Sequence, residues 1–258
     1  MKYTYDEIAG IIDHSLLAPT MTDQELLDGI STAIEYQVAS VCIKPYAVPL
    51  CAELLAGTGV KTCAVVGFPH GSNVTEVKRF ETQVACEQGA TEIDMVVNVG
   101  KVLSGDFAYA EADIKAVTDE AHKHGAKVKV IFETDYVTAD ADKIKLCEIC
   151  ERVGADWVKT STGFGFIKGA DGKYSYQGAT EANLRLMRAN VSEKVGVKAS
   201  GGVRDLDAMI LCRDLGCSRI GATATKAVLD EYRKRVAAGD GVSEGDAKSS
   251  GEIGKGGY

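Results

Sequence analysis

Four ionisable side chains interrupt short runs of otherwise apolar, β-branched residues. They are Asp94 in EIDMVVN, Lys129 in VKVIFE, Lys159 in WVKTST and Lys198 in GVKASGG. Runs of this kind are typical of buried parallel strands, which rarely carry charges. Burying an unpaired charge is energetically costly. We therefore expect these four side chains either to pair with one another or to take part in chemistry.

Three lysines and one carboxylate favour a particular kind of chemistry. A lysine amine with its ordinary pKa of ~10.4 is protonated at neutral pH and cannot attack a carbonyl carbon. A second ammonium group beside it, in a partly desolvated pocket, lowers that pKa and frees the amine. The resulting imine is an electron sink for carbon–carbon cleavage, and a neighbouring carboxylate can shuttle protons. This pattern does not identify the attacking lysine, and a purely structural salt bridge involving Asp94 is the alternative.

A second, independent signal is a pair of glycine-rich turns that follow strand-like runs. Ser200 is followed by Gly201, Gly202, Val203 and Arg204, and the next run ends in Gly221-Ala222-Thr223. Glycines let backbone N–H groups approach an anion closely, and Arg204 can neutralise part of its charge. In α/β barrels, phosphate is frequently bound at this position. We predict a phosphate site here, which Gly163 can extend; a simple strand exit is the alternative.

The elements that must position these residues alternate regularly along the chain. Strand-like runs cover residues 10–16, 38–43, 61–68, 92–99, 127–133, 156–161, 195–200 and 218–223. Helical patterns lie between them, for example at 75–88, 106–125, 140–154 and 205–216, and glycines after them are typical helix stops. Alternating strands and helices indicate βαβ units and a parallel sheet. Eight units favour a closed α/β structure, the (β/α)8 TIM barrel, over an open doubly wound sheet.

Length and composition agree with one barrel and restrict the possible partners. The chain has 258 residues, close to the ~250 typical of such a domain. We expect a single TIM-barrel domain at 1–236 and a flexible, Gly/Ser-rich tail at 237–258. The formal net charge of −8 without any Lys/Arg block disfavours nucleic acid as a partner. No apolar run approaches the ~20 residues that span a bilayer, so we expect no membrane association.

The eight cysteines indicate a reducing compartment. Most lie within apolar segments, where a reduced cysteine behaves as a small hydrophobic residue. The N-terminal residues lack the features of a secretory signal peptide, so we expect a cytoplasmic location. Cys147 and Cys150 form one CxxC spacing on a helical stretch without a second pair, which does not indicate a metal site.

Several longer segments together resemble the deoxyribose-phosphate aldolase family over nearly the whole chain. They are IDHSLL (12–17), SVCIKP (40–45), VVGFPHG (65–71), EIDMVVN (92–98), VIFET (130–134), DWVKTSTGF (156–164) and KASGGVR (198–204). The resemblance implies a class I aldolase that reversibly cleaves 2-deoxy-D-ribose 5-phosphate to acetaldehyde and D-glyceraldehyde 3-phosphate. It implies no metal and no organic cofactor. It also implies a small sugar phosphate as the partner and a homo-oligomer, dimer or tetramer.

The resemblance also assigns roles to individual residues. It makes Lys159 the Schiff-base lysine, Lys198 the lysine that tunes it, and Asp94 the proton-relay carboxylate. Asp13 and Cys42 match pocket residues, although plain core packing is an alternative for Cys42. The implied phosphate site consists of Gly163, Gly201, Gly202, Val203, Arg204, Gly221 and Thr223. The terminal Tyr258 matches a tail tyrosine that can reach the active site, and a terminus without such a role is the alternative.

Two departures from the family pattern leave other interpretations open. Residues 165–177 are an apparent insertion that we expect to overhang the pocket. Thr223 and Ala224 stand where the family often has two serines, so one hydroxyl contact to phosphate is missing. A class I aldolase or transaldolase for another sugar phosphate is one alternative function. A phosphosugar isomerase on the same barrel and a non-catalytic binding protein are the others.

Overall fold

The computed structural model describes residues 1–239 and Ile253, and its eight main strands form a closed, parallel barrel. The predicted TIM barrel is therefore confirmed. Around the barrel, the strands are β1 (Ile12–Leu16), β2 (Ser40–Ile43), β3 (Lys61–Val66), β4 (Glu92–Val96), β5 (Lys127–Ile131), β6 (Trp157–Lys159), β9 (Gly196–Ser200) and β10 (Cys217–Ala222). The predicted strand-like runs contain nearly all of these residues.

Helices follow the strands and cover the outside of the barrel. They are α1 (Tyr5–Ala9), α2 (Asp23–Glu35), α3 (Val48–Leu55), α4 (Thr75–Glu87), α5 (Val99–Leu103), α6 (Phe107–Lys123), α7 (Asp140–Val153), α8 (Glu181–Ala189), α9 (Leu206–Asp214) and α10 (Thr225–Ala237). A short 3-10 helix, Pro45–Ala47, precedes α3. Glycines with positive φ follow seven of the described helices, for example Gly154 at 79° and Gly216 at 88°. These left-handed positions end the helices, as the sequence predicted.

One pair of strands lies outside the barrel. The strands β7 (Ile167–Lys168) and β8 (Tyr174–Ser175) pair in antiparallel fashion between β6 and α8. This hairpin occupies the apparent insertion at 165–177, for which the sequence predicted an overhanging loop but no strands.

Alternation along the strands separates two environments. On β4, Ile93 and Met95 are fully buried members of the main apolar cluster between barrel and helices. Asp94 lies between them in the sequence and projects to the opposite face, because successive strand residues alternate. Each fully buried aliphatic side chain contributes roughly 1.5–3 kcal/mol to folding. The apolar layer therefore stabilises the barrel, while the interior is left for charged side chains.

The barrel elements run to the end of α10 at Ala237, one residue beyond the predicted domain limit. The predicted tail lies mostly outside the described residues, and so does Tyr258. Within the described residues, no helix is both long and apolar enough to cross a membrane.

Candidate active site

Asp94 is the centre of a buried cluster inside the barrel. Its Oδ1 accepts a hydrogen bond from Lys129 Nζ at 2.8 Å. Its Oδ2 accepts from Lys159 Nζ at 2.6 Å and from Lys198 Nζ at 2.7 Å. Strand register explains this convergence, because Asp94 pairs with Lys129 across β4–β5 and Lys159 pairs with Lys198 across β6–β9. The four ionisable side chains singled out in the sequence thus meet at one carboxylate.

Three further charged side chains lie near Asp94, namely Asp13, Glu92 and Arg219. Asp13 Oδ2 is 2.5 Å from Lys198 Nζ and 3.5 Å from Lys129 Nζ. Arg219 forms salt bridges to two carboxylates, Asp13 and Glu92, each at 2.7 Å. Glu92 also pairs with Lys129 Nζ at 2.7 Å. Trp157 lies against this group, with the Arg219 guanidinium 5.1 Å from its ring centre.

The cluster carries one cation more than it has carboxylates. Lys129, Lys159, Lys198 and Arg219 face three acids, namely Asp13, Glu92 and Asp94. It is electrically balanced when one amine is uncharged. Among the described residues, Lys129 pairs with three carboxylates, Lys198 and Arg219 with two each, and Lys159 with Asp94 alone. Lys159 is therefore the cation with the fewest carboxylate ion pairs in this cluster.

The acid–base properties of the other members follow from the same contacts. Burial opposes charge on Asp94, but the three lysines outweigh it and hold the pKa of that carboxyl well below its usual range. Burial also opposes charge on Lys198, yet the carboxylates of Asp13 and Asp94 raise its pKa. Lys198 is thus a permanent ammonium at neutral pH, as a tuning lysine requires.

Two thiols complete the surroundings of Asp94. Cys42 Sγ lies 3.7 Å from Asp94 Oδ2, and Cys63 Sγ lies 3.2 Å from Oδ1. Both cysteines pack with Leu17 and Val65 in a small apolar cluster apart from the main core. Cys42 therefore lies beside Asp94 and packs in this apolar cluster, but it is not among the residues that line the cavity. The two thiols and Asp94 are close enough to hold a metal ion, but three lysine amines already donate hydrogen bonds to this carboxylate.

A cavity of about 430 Å³ opens beside the cluster at the carboxyl ends of the strands. It is lined by Ser15, Leu17, Thr162, Tyr176, Ser200, Gly201, Gly202, Val203, Arg204, Gly221, Ala222, Thr223 and Ala224. Gly221 connects it to the cluster, since a Cβ there would lie 3.6 Å from Lys198 Cε. The N-terminus of α10 also borders the cavity, and helix N-termini attract anions.

This arrangement combines an amine that can become a nucleophile with an anion-sized, glycine-lined cavity. The sequence comparisons bear directly on what it does. Residues 8–223 match the family model for DeoC/LacD family aldolases. A deoxyribose-phosphate aldolase from Rhodopirellula baltica is 49% identical over 91% of this chain and 92% of its own. Another from Clostridium tetani is 45% identical over 88% of this chain and all of its own. The chain belongs to the DeoC/LacD aldolase family.

Solved structures agree with this family assignment. An aldolase, QR15, superposes with a TM-score of 0.80 at 33% identity, covering 90% of this chain and 98% of its own. A deoxyribose phosphate aldolase from Aeropyrum pernix, described as a unique tetramer, superposes with a TM-score of 0.77 at 30% identity. That alignment covers 89% of this chain and 92% of the other.

The structure brings most of the predicted site residues of this family member together. Asp13, Cys42, Asp94, Lys159 and Lys198 share the buried cluster, and the residues from the two glycine turns share the cavity. Gly163 is not a cavity-lining residue; its neighbour Thr162 takes that place.

Sequence reasoning missed two members of the charge cluster, Glu92 and Arg219. A signal was present for both. Glu92 stands two residues before Asp94 and so projects from the same face of β4, and Arg219 is a charge inside a strand-like run. It also missed Tyr176 in the cavity wall, because nothing in the insertion indicates which residue turns inward.

Proposed function

We propose that this aldolase cleaves 2-deoxy-D-ribose 5-phosphate reversibly to acetaldehyde and D-glyceraldehyde 3-phosphate through an imine on Lys159. The observation that carries the proposal is the cluster at Asp94. It holds one cation in excess, gives Lys159 the fewest carboxylate partners, and lies beside a cavity suited to phosphate. The family's named members with high identity support the same reaction.

The reaction begins at the open-chain aldehyde of the sugar. The uncharged Lys159 amine adds to C1, and the carbinolamine loses water to form a protonated imine. Removal of the proton from the C3 hydroxyl breaks the C2–C3 bond and releases glyceraldehyde 3-phosphate. The electron pair of that bond enters the imine and gives an enamine. Protonation at C2 and hydrolysis then release acetaldehyde and restore Lys159.

Asp94 serves as the proton carrier beside the imine, and Lys198 is its charged neighbour. Asp94 Oδ2 accepts hydrogen bonds from both amines, so it can pass protons to and from Lys159 while it holds Lys198 beside that lysine. Lys198 stays charged because Asp13 and Asp94 both bind it. Its charge next to Lys159 stabilises the carbinolamine oxygen as that oxygen gains electron density. Asp13 acts through Lys198 and is a positioning residue, and Cys42 shapes the apolar wall.

The phosphate group occupies the glycine-lined cavity. Backbone N–H groups around Gly201, Gly202, Val203 and Gly221 bind its oxygens, with Thr223 as a hydroxyl donor and Arg204 as the counter-charge. Gly163, with a φ of 85°, allows the turn that places Thr162 in the wall. This binding fixes the far end of the sugar and so aligns C1 with Lys159.

The terminal Tyr258 is proposed as the proton donor at C2 of the enamine. Its support is the sequence alone: a Gly/Ser-rich stretch ends in this tyrosine, as in the family. We also propose that the chain is one barrel domain that ends with α10 at Ala237, and that the Gly/Ser-rich residues after it form a tail.

Assembly and location form a further part of the proposal. Tyr46, Val77 and Phe80 are 64%, 47% and 61% exposed and lie around one groove beside α4. Exposed apolar patches of this kind are frequent at subunit contacts, which supports a homo-oligomer, dimer or tetramer. All eight cysteines are free and seven of them are buried, which supports a reducing, cytoplasmic location.

The direct test is product analysis. When the protein is incubated with 2-deoxyribose 5-phosphate, we expect it to release acetaldehyde and glyceraldehyde 3-phosphate in equal amounts. Proton NMR measures both products. Lys159→Met removes the nucleophile and is expected to abolish release. Formation of an isomeric phosphosugar without acetaldehyde would support the isomerase instead, and an inert mixture would support a binding protein.

A further inference from the structure

The hairpin of β7 and β8 contains a single buried side chain among exposed neighbours. Residues 166–175 and Gln177 are exposed, whereas Tyr176 is only 6% exposed. Its ring packs edge-on against Phe166, with ring centres 5.3 Å apart at 86°. A tyrosine buried on an otherwise solvated insertion has a specific packing partner in the barrel.

That partner is the turn at Gly201. A Cβ on Gly201 would lie 3.3 Å from Tyr176 Cε2, so the ring rests on the backbone of this turn. Gly201 has a φ of 87° and Gly202 one of 79°, conformations that glycine adopts readily and other residues rarely. Ala179 N–H, three residues after Tyr176, donates to Gly201 O at 3.0 Å. The end of the hairpin therefore supports the loop that lines the cavity.

Two carboxylates on the loop after β5 hold both ends of the hairpin. Glu133 accepts hydrogen bonds from the backbone N–H and the hydroxyl of Thr162 at its start. Asp135 accepts from Gln177 N–H at 2.5 Å and from Gly178 N–H at 3.0 Å at its end. Tyr176 is therefore placed by contacts on both sides and does not depend on the exposed tip of the hairpin.

We propose that Tyr176 determines specificity for the phosphorylated substrate, by ordering the Gly201–Gly202 turn and closing one side of the anion cavity. An ordered turn presents its N–H groups without an entropic cost at binding. A wall that excludes water also strengthens their interaction with an anion. The inference rests on the proposed function. It adds to the substrate site a residue from the apparent insertion at 165–177, outside the sequence segments that carry the family resemblance.

The test compares two substrates and four variants. Tyr176→Ala is expected to raise KM for 2-deoxyribose 5-phosphate about tenfold, a loss of about 1.4 kcal/mol in binding, with kcat within about twofold. For unphosphorylated 2-deoxyribose, kcat/KM is expected to stay within about twofold. Tyr176→Phe keeps the ring and is expected to show a much smaller rise in KM than Tyr176→Ala. Tyr174→Ala, on the same hairpin but 66% exposed, is the matched control for damage to the hairpin.

Inorganic phosphate provides a readout that is independent of turnover. Its dissociation constant, measured by calorimetry, is expected to rise about tenfold in Tyr176→Ala and to stay unchanged in Tyr174→Ala. Tyr176→Leu, which retains an apolar side chain, replaces the alanine variant if that one does not fold and is expected to show a smaller loss of the same kind.

Equal effects on both sugars, an effect confined to kcat, or an equal loss in Tyr174→Ala would overturn the role of Tyr176. Failure of the wild-type protein to cleave either sugar would instead overturn the proposed function. The phosphate titration would still decide the role of Tyr176.

Discussion

Asp94 Oδ2 lies 2.6 Å from Lys159 Nζ, although the two residues are on strands separated by β5. The same oxygen binds Lys198 Nζ at 2.7 Å. One carboxylate oxygen thus bridges the proposed nucleophile and its permanently charged neighbour. This geometry lets Asp94 pass protons to and from Lys159 inside the barrel.

Asp94→Asn is expected to lower kcat by about 10²–10⁴-fold, because the amide cannot carry protons to and from Lys159. Asp113→Asn is the matched control. Asp113 is also fully buried and pairs with a buried lysine, Lys78, at 2.5 Å, but between helices α4 and α6. Breaking a buried pair costs roughly 3–5 kcal/mol, so both variants are expected to lose stability. Only Asp94→Asn is expected to lose turnover per folded molecule. Retention of more than a tenth of kcat in Asp94→Asn would contradict the relay.

Glu133 is expected to make stability depend on pH. Burial raises its pKa to about 7, well above the ~4.3 of an unfolded chain. Between these values the folded protein holds a proton that the unfolded chain has lost, so the unfolding free energy falls as pH rises. At 1.36 kcal/mol per pKa unit, the loss between pH 4.5 and pH 7.5 is on the order of 3 kcal/mol.

Glu133→Gln has no such titration. Urea unfolding of both proteins across that pH range isolates the contribution, because other groups contribute to both curves. As pH rises, the unfolding free energy of the wild-type protein is expected to fall relative to that of Glu133→Gln. Parallel curves would show that Glu133 titrates normally.

Arg204→Ala is expected to raise KM for 2-deoxyribose 5-phosphate about tenfold with little change in kcat, since a hydrogen bond to a charged group contributes about 1.5–3 kcal/mol. The effect is expected to shrink at high salt, because ions screen exposed charges. Arg185→Ala serves as the control, since Arg185 pairs with Glu181 on the surface of α8. An equal rise in KM for both arginine variants would argue against a phosphate contact.

Deletion of Tyr258 is expected to lower turnover and proton exchange at the acetaldehyde methyl group together, by about tenfold or more. Tyr258→Phe is expected to lose as much, because the hydroxyl carries the proton. Deuterium exchange of acetaldehyde followed by NMR measures this step directly. Unchanged exchange in both variants would remove Tyr258 from the mechanism.

The fold was predictable because each of its signals is local. Each strand-like run, each helical pattern and each glycine that ends a helix, such as Gly154, is recognisable from neighbouring residues alone. Eight strand–helix repeats then favour a closed barrel. Charges inside apolar runs likewise identified Asp94, Lys159 and Lys198. Their convergence on one oxygen depends on strand register, which the sequence does not specify. Only the family resemblance selected Lys159 as the nucleophile. The structure supports that choice, because Lys159 has fewer carboxylate partners than Lys129 or Lys198.

The side chains that hold the active-site loops and charges in place were not predictable, because their contacts join segments that are distant in the sequence. Glu133 meets Thr162 and Asp135 meets Gly178 only once the loops after β5 and β6 lie side by side. Arg219 joins Asp13 to Glu92 across three strands that are far apart in the chain. No periodicity marks such contacts, so a residue like Tyr176 is identified only in the folded protein.

The central claim is that Lys159 forms the imine. Borohydride reduction in the presence of acetaldehyde, followed by peptide mass mapping, tests it most directly. An ethyl group on Lys159, with Lys129 and Lys198 unmodified, is the predicted result. Modification of Lys129 or Lys198 alone, or no adduct at all, would contradict the account.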